Sequence, residues 1–268
     1  MSLRHAPWEE AAEFRIGLRP IAPEAWFEGG EADPAQRKDR LLETHPAEVW
    51  AEAEGSRPAQ TELLEMVGQA LGASIPADGR PPLIAAARAV ADDLCLMEKR
   101  DGDWRLTALS LSAGTFFSAG EVIGKSLAEL HVPVTGFNAR LLGRVRRIFD
   151  GLREDLVLER RNWSVVSSPE LFIPDPRPMR AAIPAIDPAR AAEALHVRVE
   201  RQTLRRLPRT GAVVFTIRVW LDPLSAVAAD PARLARFARA WRGADPAFRA
   251  YKRLDLYDHL VAAVIDGA

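Results

Sequence analysis

The sequence predicts an α+β fold, and three observations predict it. Apolar residues recur at helical spacing through the first ninety residues, alternation and turn signals take over from about residue 94, and helical spacing returns after residue 224. No GxGxxG or Walker sequence marks a nucleotide site, and the strands do not alternate one by one with helices, so antiparallel pairing is expected. The chain reads as a single domain over 1–268. Residues 1–90 are mainly helical, 91–224 form an antiparallel sheet of about five strands, and 225–268 form closing helices.

In order along the chain, "PAQTELLEMVGQALG" places Leu63, Leu64, Val67 and Leu71 on one helical stripe, with Thr61 as the expected cap and Gly72 as the stop. "RPPLIAAARAVADDL" repeats the scheme, with Pro81 and Pro82 near the start and Leu83, Ile84, Ala87 and Val90 as the stripe. "LCLMEKRDGDWRLTALSLSA" contains Asp-Gly between two short apolar runs, which predicts a hairpin with strands near 94–98 and 104–112. A glycine-rich entry, a short helix, the break "HVPVTG" and a second helix with stripe Leu141, Leu142, Val145 and Ile148 follow. "LVLERRNWSVV" is a further strand, "PDPRPMRAAIPAIDPAR" a long proline-rich loop of the kind that tends to carry function, and 225–268 contain two helices.

Composition limits the function classes. Thirty-six Lys and Arg stand against 37 Asp and Glu, which removes the global basic field of a non-specific nucleic-acid binder. One cysteine, Cys95, excludes a disulfide framework and a cysteine-only metal cluster. No apolar run approaches the length of a membrane span, and "MSLRHAPWEEAAEF" lacks a signal-peptide core, so the expectation is a soluble, cytoplasmic protein with no membrane or nucleic-acid partner.

"LHVRVERQTLRRLPRTGAVVFTIRVW" is the most informative stretch. With "PRTG" as its turn, Arg201 falls opposite Arg218 and Thr203 opposite Thr216 on one face, while Gln202, Leu204 and Arg206 oppose Ile217, Phe215 and Val213 on the other. Two facing arginines destabilise a sheet unless an anion lies between them, and carboxylate or phosphate is the usual partner of such donors. Charge pattern alone favours the plainer alternative of solvated or locally paired arginines.

The five histidines form no HExxH or HxH signature, and no GxSxG elbow is present. Cys95 sits among Leu94, Leu96 and Met97 and reads as inert core. His131 stands at a helix end before Pro133 and Gly136, where the choice lies between a directed imidazole and one placed against the helix dipole. His196, beside Arg198 and Glu200, reads as solvated or ion-paired, and Asn162 and Trp163 as a strand end with an aromatic anchor.

"VERQTLRRLPRTGAVVFTIR", "ERRNWSVVSSPELF", "VADDLCLM", "IGKSLAELHVPVTGF" and "YKRL", in this order, resemble the haem-dependent oxidative N-demethylase alpha-subunit family, over about residues 17–257. The resemblance implies a PAS-like sheet, a non-covalent haem b, O2 as co-substrate, and oxidation of a small methylated amine with release of formaldehyde. It also implies a partner reductase carrying flavin and an iron–sulfur cluster and fed by NADPH, and it is compatible with self-association. By position the family's histidine falls on His131, the implied axial ligand; Arg201 and Arg218 are the implied propionate partners, and Asn162 is grouped with them as a cofactor contact. The sequence departs from the family pattern at Phe117, Val122 and Thr135, which stand where Trp, Lys and Pro are usual. Two other readings stay open: a non-catalytic PAS-type haem or small-ligand sensor, and a relative that keeps the fold without haem.

Overall fold

Seven strands pair into one sheet in the computed structural model, which describes residues 3–9, 16–76, 78–132 and 137–267. They are β1 (Arg19–Ile21), β2 (Trp50–Glu52), β3 (Asp93–Arg100), β4 (Asp103–Ser110), β5 (Val157–Val166), β6 (His196–Arg206) and β7 (Val213–Pro223), in the order β1-β5-β6-β7-β3-β4-β2. Every ladder between them is antiparallel. The expected count of about five strands is corrected to seven. The additional pair, β1 and β2, are three-residue edge strands in the part read as helical, and three residues are too few to show a period of two.

The turns fix the register. Asp101 and Gly102 take φ of 51° and 80°, the two left-handed positions of a tight hairpin turn, and join β3 to β4 where Asp-Gly predicts it. At the other hairpin, Leu207 donates its N–H to the Ala212 carbonyl at 2.8 Å, and Arg201 faces Arg218 and Thr203 faces Thr216 as the turn requires. Side chains alternate between faces along each strand, so this register decides what each face presents.

One face, towards β3 and β4, is closed by the helices Arg57–Leu71 and Pro82–Arg88 and by the segment around Trp26, with Leu63, Leu83, Leu94, Leu96 and Val214 in a continuous core. At the β5–β6 end, Trp163, Val197 and Val199 pack against Phe237, Trp241 and Leu260 of the C-terminal helices. The first of these helices begins one turn before the expected cap: Ser56 stands at the N-cap, and the Thr61 hydroxyl donates back to the Arg57 carbonyl. Gly72 ends it with φ of 64°, as expected. The proline-rich stretch is a chain of short helical turns rather than an open loop, and three helices, Pro231–Arg242, Pro246–Lys252 and Asp258–Asp266, stand where two are expected.

Candidate functional site

The other face of the sheet is the floor of a cavity of about 870 Å³, within the range of small-molecule and cofactor sites. The residues of this face fall in cross-strand rows. Leu158, Leu204, Phe215, Cys95 and Leu109 form one apolar row, and Met97 with Val213 and Leu106 extends it. The next row is Arg160, Gln202, Ile217 and Asp93, and beyond it come the pairs Asn162–Glu200 and Ser164–Arg198. The floor therefore runs from hydrocarbon to charge within a few residues.

His131 lies on the cavity wall at the C-terminal end of the helix Leu127–Leu130. Ser126 and Glu129 form a capping box that starts this single turn. Leu127 packs into the same apolar cluster as Leu106, Leu109 and Leu204. The imidazole Nδ1 is 2.7 Å from the Leu127 carbonyl oxygen. A carbonyl only accepts, so Nδ1 carries the proton and the ring's lone pair is on Nε2. Burial pushes the His131 pKa down, and the nearby Arg160 charge adds to the effect against the opposing Leu127 hydrogen bond. The ring is thus a neutral imidazole of fixed tautomer at neutral pH, the form in which histidine ligates metals.

The charged rows are held together by Glu200. Gln202 Nε2 donates to one Glu200 oxygen at 3.0 Å, and Arg198 Nε stands 3.6 Å from the other. Burial acts to raise the Glu200 carboxyl, but Lys252, Arg198 and Arg160 outweigh it and hold the pKa below its ordinary value. Lys252 enters from the end of the helix Pro246–Lys252, and burial lowers its own pKa, as do Arg198 and Arg160. Asp93 Oδ1 accepts from the Ser112 backbone N–H and hydroxyl, and its carboxylate also meets the Ala113 N–H.

Arg201 and Arg218 lie on the opposite face and are not among the cavity's lining residues. Arg201 is 1% exposed, and its guanidinium is engaged by Glu159 at 2.6 Å and by the carbonyls of Trp26 and Ala25 at 2.8 and 2.5 Å. Arg218 pairs with Glu31 at 3.3 Å and stacks on Trp220. Carboxylates of the chain itself meet this charge pair, on the face that the N-terminal segment covers.

Asn162 lines the cavity, and its Oδ1 accepts from the Trp163 backbone N–H at 2.9 Å. Cys95 also lines it, but burial and Asp93 push its thiol pKa up, which leaves it the inert core residue expected from its neighbours. Phe117 and Val122, two of the three departures from the family pattern, both line the cavity; Thr135, with Pro133 and Gly136, lies outside the described residues. Arg160, Arg198, Glu200 and Lys252 are the cavity residues that a search for facing arginines passes over. Their available signal is their parity: Arg198, Glu200 and Gln202 share the hairpin face opposite to Arg201.

Residues 69–262, well over half of the chain, match the family described as haem-dependent oxidative N-demethylase, alpha subunit-like. The chain belongs to this family. The match begins later than the resemblance read from about residue 17, and it spans every strand that builds the cavity floor. Among the described residues no three His, Cys, Asp or Glu side chains gather to hold a bare metal ion, whereas a haem needs only one protein ligand for its iron. No helix among the described residues is long and apolar enough to cross a membrane.

Proposed function

We propose that the cavity binds a non-covalent haem b, with His131 Nε2 as the axial ligand, and that the protein is the oxygenase subunit of an N-demethylase acting on a small methylated amine. The observation that carries this reading is the graded floor beneath a neutral imidazole. Haem is a flat apolar macrocycle with carboxylates at one edge, and the floor offers apolar rows followed by cationic ones. When bound, the haem supplies reductive activation of O2 and oxidation of an N-methyl carbon, which leaves as formaldehyde.

The chain's own residues do the rest. The Leu127 carbonyl orients the imidazole and raises its basicity through Nδ1–H, a relation common among metal-bound histidines. The apolar rows exclude water from the reacting side. The methylated amine belongs over those rows, beside Phe117 and Val122, because the Arg160 and Lys252 end repels an ammonium ion. Where the family usually has Trp and Lys, Phe117 and Val122 make this part of the wall smaller and less charged, which alters the substrate pocket. We read the sheet and its open face as a PAS-like cradle. Electrons come from a reductase subunit carrying flavin and an iron–sulfur cluster, consistent with an alpha subunit that is one member of an assembly.

With haemin, a chemical reductant and O2 supplied, the purified protein is expected to release one formaldehyde per methyl group lost from dimethylamine or a related secondary amine, measured by trapping the aldehyde. Haem uptake with no formaldehyde from any N-methyl amine tried would shift the reading to a haem protein without turnover.

A further inference from the structure

Arg198 is a buried charge on the cavity face with most of its donors unmade. It is 4% exposed on a central strand, faces the cavity, and uses one nitrogen, Nη2, to donate to the Ala113 carbonyl at 2.8 Å. Its Nε and Nη1 groups are buried with no hydrogen-bond partner among the described residues, and Glu200, at 3.6 Å from Nε, lies beyond hydrogen-bond reach. An arginine cannot shed its charge inside a protein, and two buried unmade donors on one guanidinium are costly.

The surroundings decide what fills the gap. Arg160, Arg198 and Lys252 stand around Glu200, and a further carboxylate of the floor, Asp93, is already engaged by the backbone and hydroxyl of Ser112 and by Ala113. Among these described residues, three cations against two carboxylates leave a buried positive surplus. Water would satisfy the N–H groups but not the charge. Nε–H and Nη1–H lie on different sides of the guanidinium, and a carboxylate supplies both an acceptor for such a donor and the missing negative charge.

We propose that Arg198, supported by Arg160 and Lys252, is a carboxylate-binding site inside the cavity, and that its unmade guanidinium donors take the ligand's oxygens. The carboxylate has two sources within the function proposed above: a propionate of the haem, or an acid group on the amine substrate itself, as in an N-methyl amino acid. Only the first source rests on the haem reading. In either case Arg198, and not the Arg201–Arg218 pair, is the anion partner within the hairpin.

The experiment compares haemin with haemin dimethyl ester, whose propionates are blocked, by absorbance titration of the wild-type protein and of Arg198→Met and Arg198→Lys. In parallel, acetate and N,N-dimethylglycine are titrated calorimetrically into the haem-free protein. If the propionate is the ligand, wild type binds haemin roughly ten- to a hundredfold tighter than the ester, and Arg198→Met loses that preference with its fold kept by circular dichroism. If the substrate acid is the ligand, haemin and ester bind alike, N,N-dimethylglycine binds, and Arg198→Met abolishes its binding. The wild-type comparison stands even if a variant fails to fold, and Arg198→Lys, which keeps the charge without the guanidinium's donors, then supplies the intermediate case. Haemin binding with no ester discrimination and no binding of either small carboxylate would overturn the site while leaving the haem reading intact. Absence of any haemin uptake together with Arg198-dependent binding of N,N-dimethylglycine would do the reverse.

Discussion

Arg201→Ala is expected to cost about 3 kcal/mol of folding stability and to leave cofactor affinity unchanged. Arg201 is buried and bonded to Glu159 and to two carbonyls of the N-terminal segment, so its removal strands buried acceptors as well as a carboxylate. Breaking a buried ion pair from one side typically costs about 3–5 kcal/mol, and the lower end applies because Arg19 and Arg161, both at 3.2 Å, remain to hold Glu159. For a chain of this size the loss corresponds to roughly 6–12 °C in Tm, measurable by calorimetry. The same segment is stapled to the sheet by Trp26 Nε1, which donates to Thr203 Oγ1 at 3.1 Å, and by Arg205 stacked on the Trp26 ring, so its detachment should accompany the loss. A variant with unchanged Tm and weakened haem binding would return Arg201 to the role of propionate partner.

His131→Ala is expected to fold and to lose the axial bond. The ring ends a helix of a single turn, where a dipole contact contributes about 2 kcal/mol at most, and its Nδ1 bonds to its own helix. The variant should retain little haem or show a displaced Soret band, and added imidazole should restore the wild-type band by filling the vacated position. A wild-type spectrum in ferric and ferrous states without imidazole would assign the iron to another residue.

Much of this arrangement is legible in the residues, and what is not legible has identifiable physical causes. The β6–β7 register follows from "PRTG", and the β3–β4 hairpin from Asp-Gly, because short turns admit few backbone geometries and register then propagates by two. His131 at a helix end is equally local. Which face of the hairpin looks into the cavity is not local. It is decided by residues 19–31, a stretch with no period, folding across the Arg201–Arg218 face and supplying Glu28 and Glu31 to it. Arg201 and Arg218 catch attention because they face each other, whereas Arg198 is opposite Leu221 and looks ordinary until the cavity is seen. Lys252 reaches the same site from about fifty residues away, and no spacing rule links it to Arg198. The family match locates the fold over 69–262, but the sorting of arginines between faces comes from the packing.

The most direct measurement is an absorbance titration of the wild-type haem-free protein with haemin, followed by dithionite. Saturation is expected at one haem per chain, with a sharp Soret band distinct from that of free haemin and a ferrous spectrum of a histidine-ligated b-type haem. A titration indistinguishable from haemin in buffer, with no saturation and no spectral shift on reduction beyond that of the free cofactor, would contradict haem binding in the cavity.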